Sequence, residues 1–312
     1  MDIYNALSEL LLIDEVEIVS YINKAPHRYK VYKIPKRNGS GSRVIAQPAK
    51  ELKVLQKSAL NMPLLDLPVH KSAFAYMEGI GIKQNAQKHS KNQYLLKMDF
   101  SDFFPSIVSS DLLSHVEKHK GKLEIKEKVA LKKLFFWCVK GSTEHRLSIG
   151  APSSPFLSNT ILFDFDTIVN DYCTQEKITY TRYADDLTFT TNVSGVLFEL
   201  PTYIEGVLKK LEYPTLKINH SKTVFSSKKN NRHVTGLVLT NDNAISLGRD
   251  RKRYIRSLVY GFCNKKLSDD ESIKLRGLIS FAKHVEPTFF RSLVKKYSLA
   301  VISDIERYYP DN

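Results

Sequence analysis

The segment Tyr180-Thr181-Arg182-Tyr183-Ala184-Asp185-Asp186-Leu187-Thr188-Phe189 constrains this chain more than any other. Two adjacent acids sit between aromatic, β-branched and apolar runs, and Thr179 to Thr191 reads as two strands joined by a tight turn. That pattern puts both carboxylates at the turn of a hairpin. Adjacent carboxylates repel, and keeping both ionised in a partly buried place is unfavourable without cations. A divalent metal resolves the conflict, and hard oxygen ligands suit Mg²⁺, which keeps waters and takes other ligands from phosphates. Asp is also common in solvated turns, so the segment alone leaves that simpler reading open.

A second acid narrows the choice. Asp99 ends an apolar strand, Tyr94 to Asp99, and Phe100-Ser101-Asp102-Phe103-Phe104-Pro105 follows it. An acid that closes a buried strand is unfavourable unless it is used. Two strands side by side would bring Asp99 into metal-bridging range of Asp185. Two metals about 4 Å apart would then clamp an in-line phosphoryl transfer. Asp102 is expected to cap the following turn rather than bind metal. Asp164 and Asp166 lie at i and i+2 of an expected helix, so they point to different sides and are not expected ligands.

Charge agrees with a phosphate-handling protein. The 312 residues carry a formal net charge of +14, which favours polyanions. The basic residues cluster: ten Lys or Arg against one acid from Lys24 to Lys57, seven against one from Lys209 to Arg232, and five against one from Arg249 to Arg256. The length suits one large domain or two to three packed subdomains, and the 42% of apolar residues allows a sizeable core. No apolar run reaches the roughly 18 residues of a membrane span. The opening segment lacks the basic start of a signal peptide. A cytoplasmic protein with no membrane partner is expected. Cys138, Cys173 and Cys263 are odd in number and far apart, so neither disulfides nor a metal-ligand set is expected.

Periodicity places the remaining elements. Residues 1–22 read as one or two amphipathic helices. Tyr29 to Ile34 and Arg43 to Ala46 read as strands joined by a basic, glycine-rich tip, Asn38-Gly39-Ser40-Gly41-Ser42. A helix follows Pro48. Helices are expected over about 109–140, and another from Pro152 through Phe165. Val234 to Thr240 and Ala244 to Leu247 read as strands, and the chain from about Asp250 onward as helices.

Four pieces in order resemble reverse transcriptases: the strand ending in Asp99, Ser148-Ile149-Gly150-Ala151-Pro152-Ser153-Ser154-Pro155, Tyr183-Ala184-Asp185-Asp186, and Leu216-Lys217-Ile218-Asn219-His220-Ser221-Lys222-Thr223. The resemblance runs from about Arg43 to Gly236 and more weakly through the tail. Further matches are similar to bacterial retron reverse transcriptases. Asn85-Ala86-Gln87-Lys88-His89 resembles their Asn-Ala-x-x-His signature, and Val234-Thr235-Gly236 their Val-Thr-Gly signature. Leu275 to Phe281 looks like their thumb helix. Diversity-generating retroelement enzymes usually have Ser-Gln where this chain has Ser154-Pro155. Many relatives have Gln where this chain has Ile149, which puts sugar contacts and fidelity in doubt, and no role is carried to Ile149.

The resemblance implies an α+β right-hand polymerase: an antiparallel palm backed by helices, fingers and a helical thumb. The expected divisions are fingers at 1–93, palm at 94–240 with a helical insertion at about 109–147, and thumb at 241–312. Asp99, Asp185 and Asp186 are then the catalytic acids. With Phe100 they form the metal set for two Mg²⁺, with Mn²⁺ as an alternative. Arg43, Phe104 and Lys222 match nucleotide-binding positions: a triphosphate clamp, an aromatic that excludes a 2′-hydroxyl, and a lysine facing phosphate. Lys36 and Arg37 are expected template or triphosphate contacts. Asn85, His89, Val234, Thr235, Gly236, Arg251 and Arg253 are the expected RNA-binding set.

The implied function is RNA-directed DNA synthesis on a structured non-coding RNA, with deoxynucleoside triphosphates as substrates and an RNA–DNA hybrid as product. Synthesis would start from a 2′-hydroxyl of that RNA. The resemblance also implies antiphage defence, a separate effector protein, and a host ribonuclease H to trim the template. Two other readings stay open: an RNA- and DNA-binding scaffold with a vestigial polymerase site, and a different reverse transcriptase that primes from a 3′-end.

Overall fold

The structure, a computed structural model, describes residues 2–36, 41–139 and 141–310. Arg37 and the hairpin-tip residues Asn38, Gly39 and Ser40 lie outside the described residues.

In chain order, helix α1 (Ile3–Leu11) starts at Asp2, whose carboxylate accepts from the Tyr4 N–H. Helix α2 (Glu15–Lys24) starts at Asp14, which accepts from the Val16 N–H. Each side chain satisfies an N–H that the first helical turn leaves unpaired. Strands β1 (Tyr29–Pro35) and β2 (Ser42–Pro48) pair antiparallel, with Ile34 opposite Arg43. Then come α3 (Lys50–Leu60), α4 (Ile82–His89), β3 (Tyr94–Asp99), the single turn α5 (Phe103–Ser106), α6 (Ser109–Lys120) and α7 (Ile125–Phe135). A short pair, β4 (Trp137–Cys138) and β5 (His145–Arg146), precedes α8 (Ser154–Ile161) and α9 (Phe163–Gln175). The hairpin that carries the Asp185-Asp186 turn is β6 (Thr179–Tyr183) and β7 (Asp186–Thr191), followed by α10 (Leu200–Lys210). Strands β8 (Val224–Ser227), β9 (Arg232–Val234), β10 (Leu237–Leu239) and β11 (Ile245–Ser246) lead to α11 (Arg249–Cys263), α12 (Asp269–Val285), α13 (Pro287–Tyr297) and α14 (Leu299–Glu306).

A four-stranded sheet has the order β6-β7-β3-β8, and a three-stranded sheet the order β11-β10-β9. The chain divides into two compact units: Met1–Glu78, Leu96–Phe189 and Val193–Val224 form the first, and Gly79–Leu95, Thr190–Asn192 and Phe225–Asn312 the second. The first buries Leu96, Met98, Phe100, Leu157, Ile161, Phe165, Leu187 and Phe189. Phe100 meets Phe165 edge-on at 5.6 Å, and Tyr180 stacks on Phe189 at 5.0 Å. Each fully buried side chain of this size contributes roughly 1.5–3 kcal/mol through lost apolar hydration. The second unit closes its own core with Val234, Leu237 and Leu239 from the small sheet and Ile255, Leu258, Leu275, Ile279, Phe289 and Ile302 from the helices.

Several boundaries differ from expectation. The helical stretch over 109–140 ends at Phe135, because the aromatic run Phe135-Phe136-Trp137 is buried and continues as β4. The helix expected from Pro152 breaks at Leu162, which leaves the helical ψ. The expected strand Val234–Thr240 is a hairpin instead: Thr235 and Gly236 take φ +45° and +79°, and Val234 pairs with Leu237. Two left-handed residues in succession form the tight turn that matches strand twist. Asp102 does not cap α5 through its side chain. Its φ of +44° departs from the extended backbone of a capping residue, and its carbonyl accepts from Ser106 N at 2.9 Å.

Candidate active site

The β6–β7 hairpin follows from its sequence. Thr179–Tyr183 and Asp186–Thr191 are β-formers buried along most of their length, and Ala184 turns the chain with φ +57°. The end of β3 is stitched to this turn: the Phe100 N–H donates to the Asp185 carbonyl at 3.1 Å. On its other side, Ser101 N–H donates to Lys217 O at 2.8 Å, and Asn219 N–H to Asp99 O at 2.7 Å. Asp99, Phe100 and Ser101 therefore lie between the turn and the Lys217–Asn219 segment. That register lets Lys222 reach Asp99, with its Nζ 2.8 and 2.9 Å from the two carboxylate oxygens.

Burial raises the Asp186 carboxyl to about 6, and the neighbouring Asp185 adds to the rise. Asp185 is raised by burial and by Asp99, while Lys222 and Arg43 pull it down. Each perturbation has the same origin: carboxylates share a low-dielectric place with too little positive charge. Among the described residues, no three His, Cys, Asp or Glu side chains already surround one point as a metal cage would. The donors still fit a hard divalent cation. They are acid oxygens, two of them on carboxyls raised by burial and by a neighbouring carboxylate, and the Asp99 oxygens already hold an ammonium.

The expected nucleotide contacts lie in this unit. Arg43 is exposed on β2, and its charge is felt at Asp185. Phe104 packs edge-on against Phe103 at 5.2 Å and lines a cleft of about 400 Å³ with Lys53, Lys57, Tyr76, Ile149 and Gly150. Gly150 has φ +124°, and a Cβ there would stand 3.3 Å from the Ala46 carbonyl. Glycine thus permits the close approach that the Ala46 N–H to Ile149 O bond, at 3.1 Å, fixes. Phe100 is a core side chain, stacked on Phe103 at 5.8 Å.

The expected RNA-binding residues lie in the second unit. Asn85 and His89 are fully buried, and His89 Nδ1 lies 2.8 Å from the Thr190 hydroxyl. Burial holds the His89 ring down at about 3, so it stays neutral. Val234 belongs to the core. Thr235 donates its hydroxyl to the Ile82 carbonyl at 3.2 Å, which ties the β9–β10 turn to the start of α4. Gly236 is exposed, and its carbonyl accepts from Arg251 Nη1 at 3.3 Å. Arg253 is exposed on α11. The two matched signatures therefore meet each other, while Asn85 and His89 present no surface.

Sequence reasoning set Asp166 aside and passed over Arg182. They form a buried ion pair at 2.5 Å, both side chains with no exposure. An arginine inside an apolar strand pattern was the available signal, because such a charge must find a partner. Asp164 instead faces outward to Lys118 at 2.6 Å.

Comparison with known proteins places the chain in a class and then a branch. The family "Reverse transcriptase (RNA-dependent DNA polymerase)" matches residues 34–239. The retron Ec83 reverse transcriptase of Escherichia coli is 43% identical over 285 residues, 90% of each chain. The retron Ec73 enzyme of the same organism is 32% identical over 95% of each chain. The retron Ec86 enzyme is 30% identical over 93% of this chain and 85% of that one. This chain belongs to the retron reverse transcriptases and is an RNA-directed DNA polymerase. In fold alone it resembles apo telomerase from Candida tropicalis, with a TM-score of 0.50 and 13% identity over 89% of this chain and 61% of the telomerase chain. Family membership implies dependence on a divalent metal.

No helix is long and apolar enough to cross a membrane among the described residues.

Proposed function

We propose that this polymerase copies part of a partner structured non-coding RNA into single-stranded DNA, starting from a 2′-hydroxyl of that RNA. The observation that carries the reading is the gathering of Asp99, Asp185 and Asp186 at one sheet end, with Lys222 and Arg43 as the nearby positive charges. In this reading the three carboxylates, with the main-chain carbonyl of Phe100, hold two Mg²⁺ ions. Bound divalent ions would activate the attacking hydroxyl and neutralise the triphosphate. Arg43 grips the triphosphate with its planar guanidinium. Phe104 stands where a 2′-hydroxyl of the incoming nucleotide would clash. Lys222 moves from Asp99 toward phosphate.

Residues 1–93 act as fingers, 94–240 as palm and 241–312 as thumb. Asn85 and His89 serve RNA placement from inside the unit, as buried side chains of α4, whose start is tied to the Thr235–Gly236 turn by the Thr235 hydroxyl. Arg251, Arg253 and the exposed turn are the surface that meets RNA. The product acts with an effector protein in antiphage defence, and a host ribonuclease H trims the template.

Purifying the protein from its own locus and sequencing the bound nucleic acid tests this. The expected species is DNA joined to RNA, released as free DNA only by an enzyme that opens 2′–5′ branches. DNA carrying an ordinary 3′-end junction would overturn the priming assignment.

A further inference from the structure

We propose that Arg182 is a positioning residue for the catalytic turn, and that Asp166 is present to hold Arg182 in that role. The inference rests on the reading of Asp185 and Asp186 as metal-holding groups.

Arg182 is the last residue but one of β6, and its guanidinium has no exposure. Its Nε donates to both Asp166 carboxylate oxygens at 2.9 and 3.1 Å, and its Nη2 donates to Oδ2 at 2.5 Å. Tyr180 donates its hydroxyl to Asp166 Oδ1 at 2.7 Å. Asp166 thus neutralises the guanidinium and fixes its plane. With the plane fixed, Nη1 is aimed away from Asp166. It donates to Asn159 Oδ1 at 3.1 Å and to the Ala184 carbonyl at 3.3 Å.

Ala184 is the residue that makes the turn, and it does so in the left-handed region. A residue with a Cβ stays there only when its surroundings over-determine the backbone. The surroundings here are specific. Arg182 N–H donates to Ser72 O at 2.7 Å, and Arg182 O accepts from Phe74 N at 2.8 Å, so the foot of the turn is held by the backbone. The far side of the foot is held by Asn159, whose Nδ2 donates to Ala75 O at 2.8 Å. The guanidinium reaches past the foot to the Ala184 carbonyl, in the peptide that precedes Asp185, while the Phe100 N–H holds the next carbonyl, that of Asp185, at 3.1 Å. A small rotation of that peptide redirects both following carboxylates, and such rotations are large on the scale of metal-site tolerance.

A buried ion pair is weak support for stability, since apolar groups of similar volume are often as good. A pair retained directly beneath two acids that must point one way is better explained by direction.

The test uses the full chain with an annealed DNA primer on RNA template. Arg182→Lys keeps the charge opposite Asp166 but has no fork to reach Ala184. The double variant Arg182→Met with Asp166→Leu removes the charges together. Mn²⁺ is the probe, titrated by electron paramagnetic resonance, with thermal unfolding and primer–template binding measured beside it. The expected result is folded protein with primer–template affinity within about threefold of wild type. Mn²⁺ affinity should fall about tenfold or more, and kcat about a hundredfold, with a smaller change in KM. Asp185→Asn separates the two layers of the argument. If it leaves Mn²⁺ affinity intact, the metal-holding reading fails and the inference with it. If Asp185→Asn loses Mn²⁺ while both Arg182 variants bind it normally, only the positioning role is overturned. Failure of both Arg182 variants to fold would also overturn it, because the pair would then be a folding determinant alone.

Discussion

Lys222 holds Asp99 by both carboxylate oxygens, at 2.8 and 2.9 Å, although the two residues are 123 positions apart. The lysine side chain is half-exposed and the aspartate nearly buried. The ammonium therefore stands where positive charge is needed, and it can be withdrawn. Removing it with Lys222→Ala leaves a buried carboxylate without its counter-ion. In metal-free protein the unfolding midpoint should drop, by the equivalent of about 1 kcal/mol once screening by water is allowed for. Added Mg²⁺ should close most of that gap if it binds Asp99. A gap that is independent of Mg²⁺ would mean that the ion pair and the metal do not share Asp99.

Asp186 makes a second prediction, and its sign is opposite to that of a salt-bridged acid. Its carboxyl is raised to about 6 in the folded protein, against about 3.9 in an unfolded chain. The folded state thus holds this proton more tightly, so the stabilisation is present at low pH and is lost as pH rises through about 6. Asp186→Asn should therefore stabilise metal-free protein by about 2–3 kcal/mol near about pH 8 and by less than about 1 kcal/mol near about pH 4. Urea unfolding at the two pH values checks this. An equal change at both would assign the effect to packing.

Phe104 lines the cleft beside Gly150 and Ile149 and is neither fully buried nor free. Phe104→Val should leave the fold intact and raise the ratio of ribonucleotide to deoxyribonucleotide kcat/KM about tenfold or more. Competition between the two triphosphates on one template reads the ratio. An unchanged ratio in an active variant would make Phe104 a packing residue.

Thr235 sits at φ +45°, which Asn adopts more readily than a β-branched residue. Thr235→Asn should keep or slightly raise stability while losing the hydroxyl bond to Ile82. Initiation on the cognate RNA should fall about fivefold or more, while extension of a generic annealed primer should stay within about twofold. Equal losses on both substrates would favour a purely structural turn.

The parts of the fold that were legible are those in which one short segment decides. β3 and the β6–β7 hairpin follow from runs of apolar and β-branched residues that stop at acids, and both strands carry their acids to the same sheet end. The Thr235–Gly236 turn was hidden because Thr occupies a position where Asn or Gly would announce a tight hairpin. The burial of Asn85 and His89 was hidden because α4 carries few apolar residues, and its polar side chains are covered by elements distant in sequence. The Arg182–Asp166 pair was hidden for a related reason. Spacing on a helix says whether two acids can share a ligand, not whether one of them is needed by a strand sixteen residues on.

The most direct test is single-turnover addition of one deoxynucleotide to an annealed DNA primer on RNA template, comparing wild type with Asp99→Asn and Asp185→Asn. Template affinity serves as the internal control. The account predicts that both variants bind primer–template normally and that the rate of addition falls by about a thousandfold or more. Addition within about tenfold of wild type, by a variant that binds normally, would contradict the assignment of these carboxylates to the chemistry.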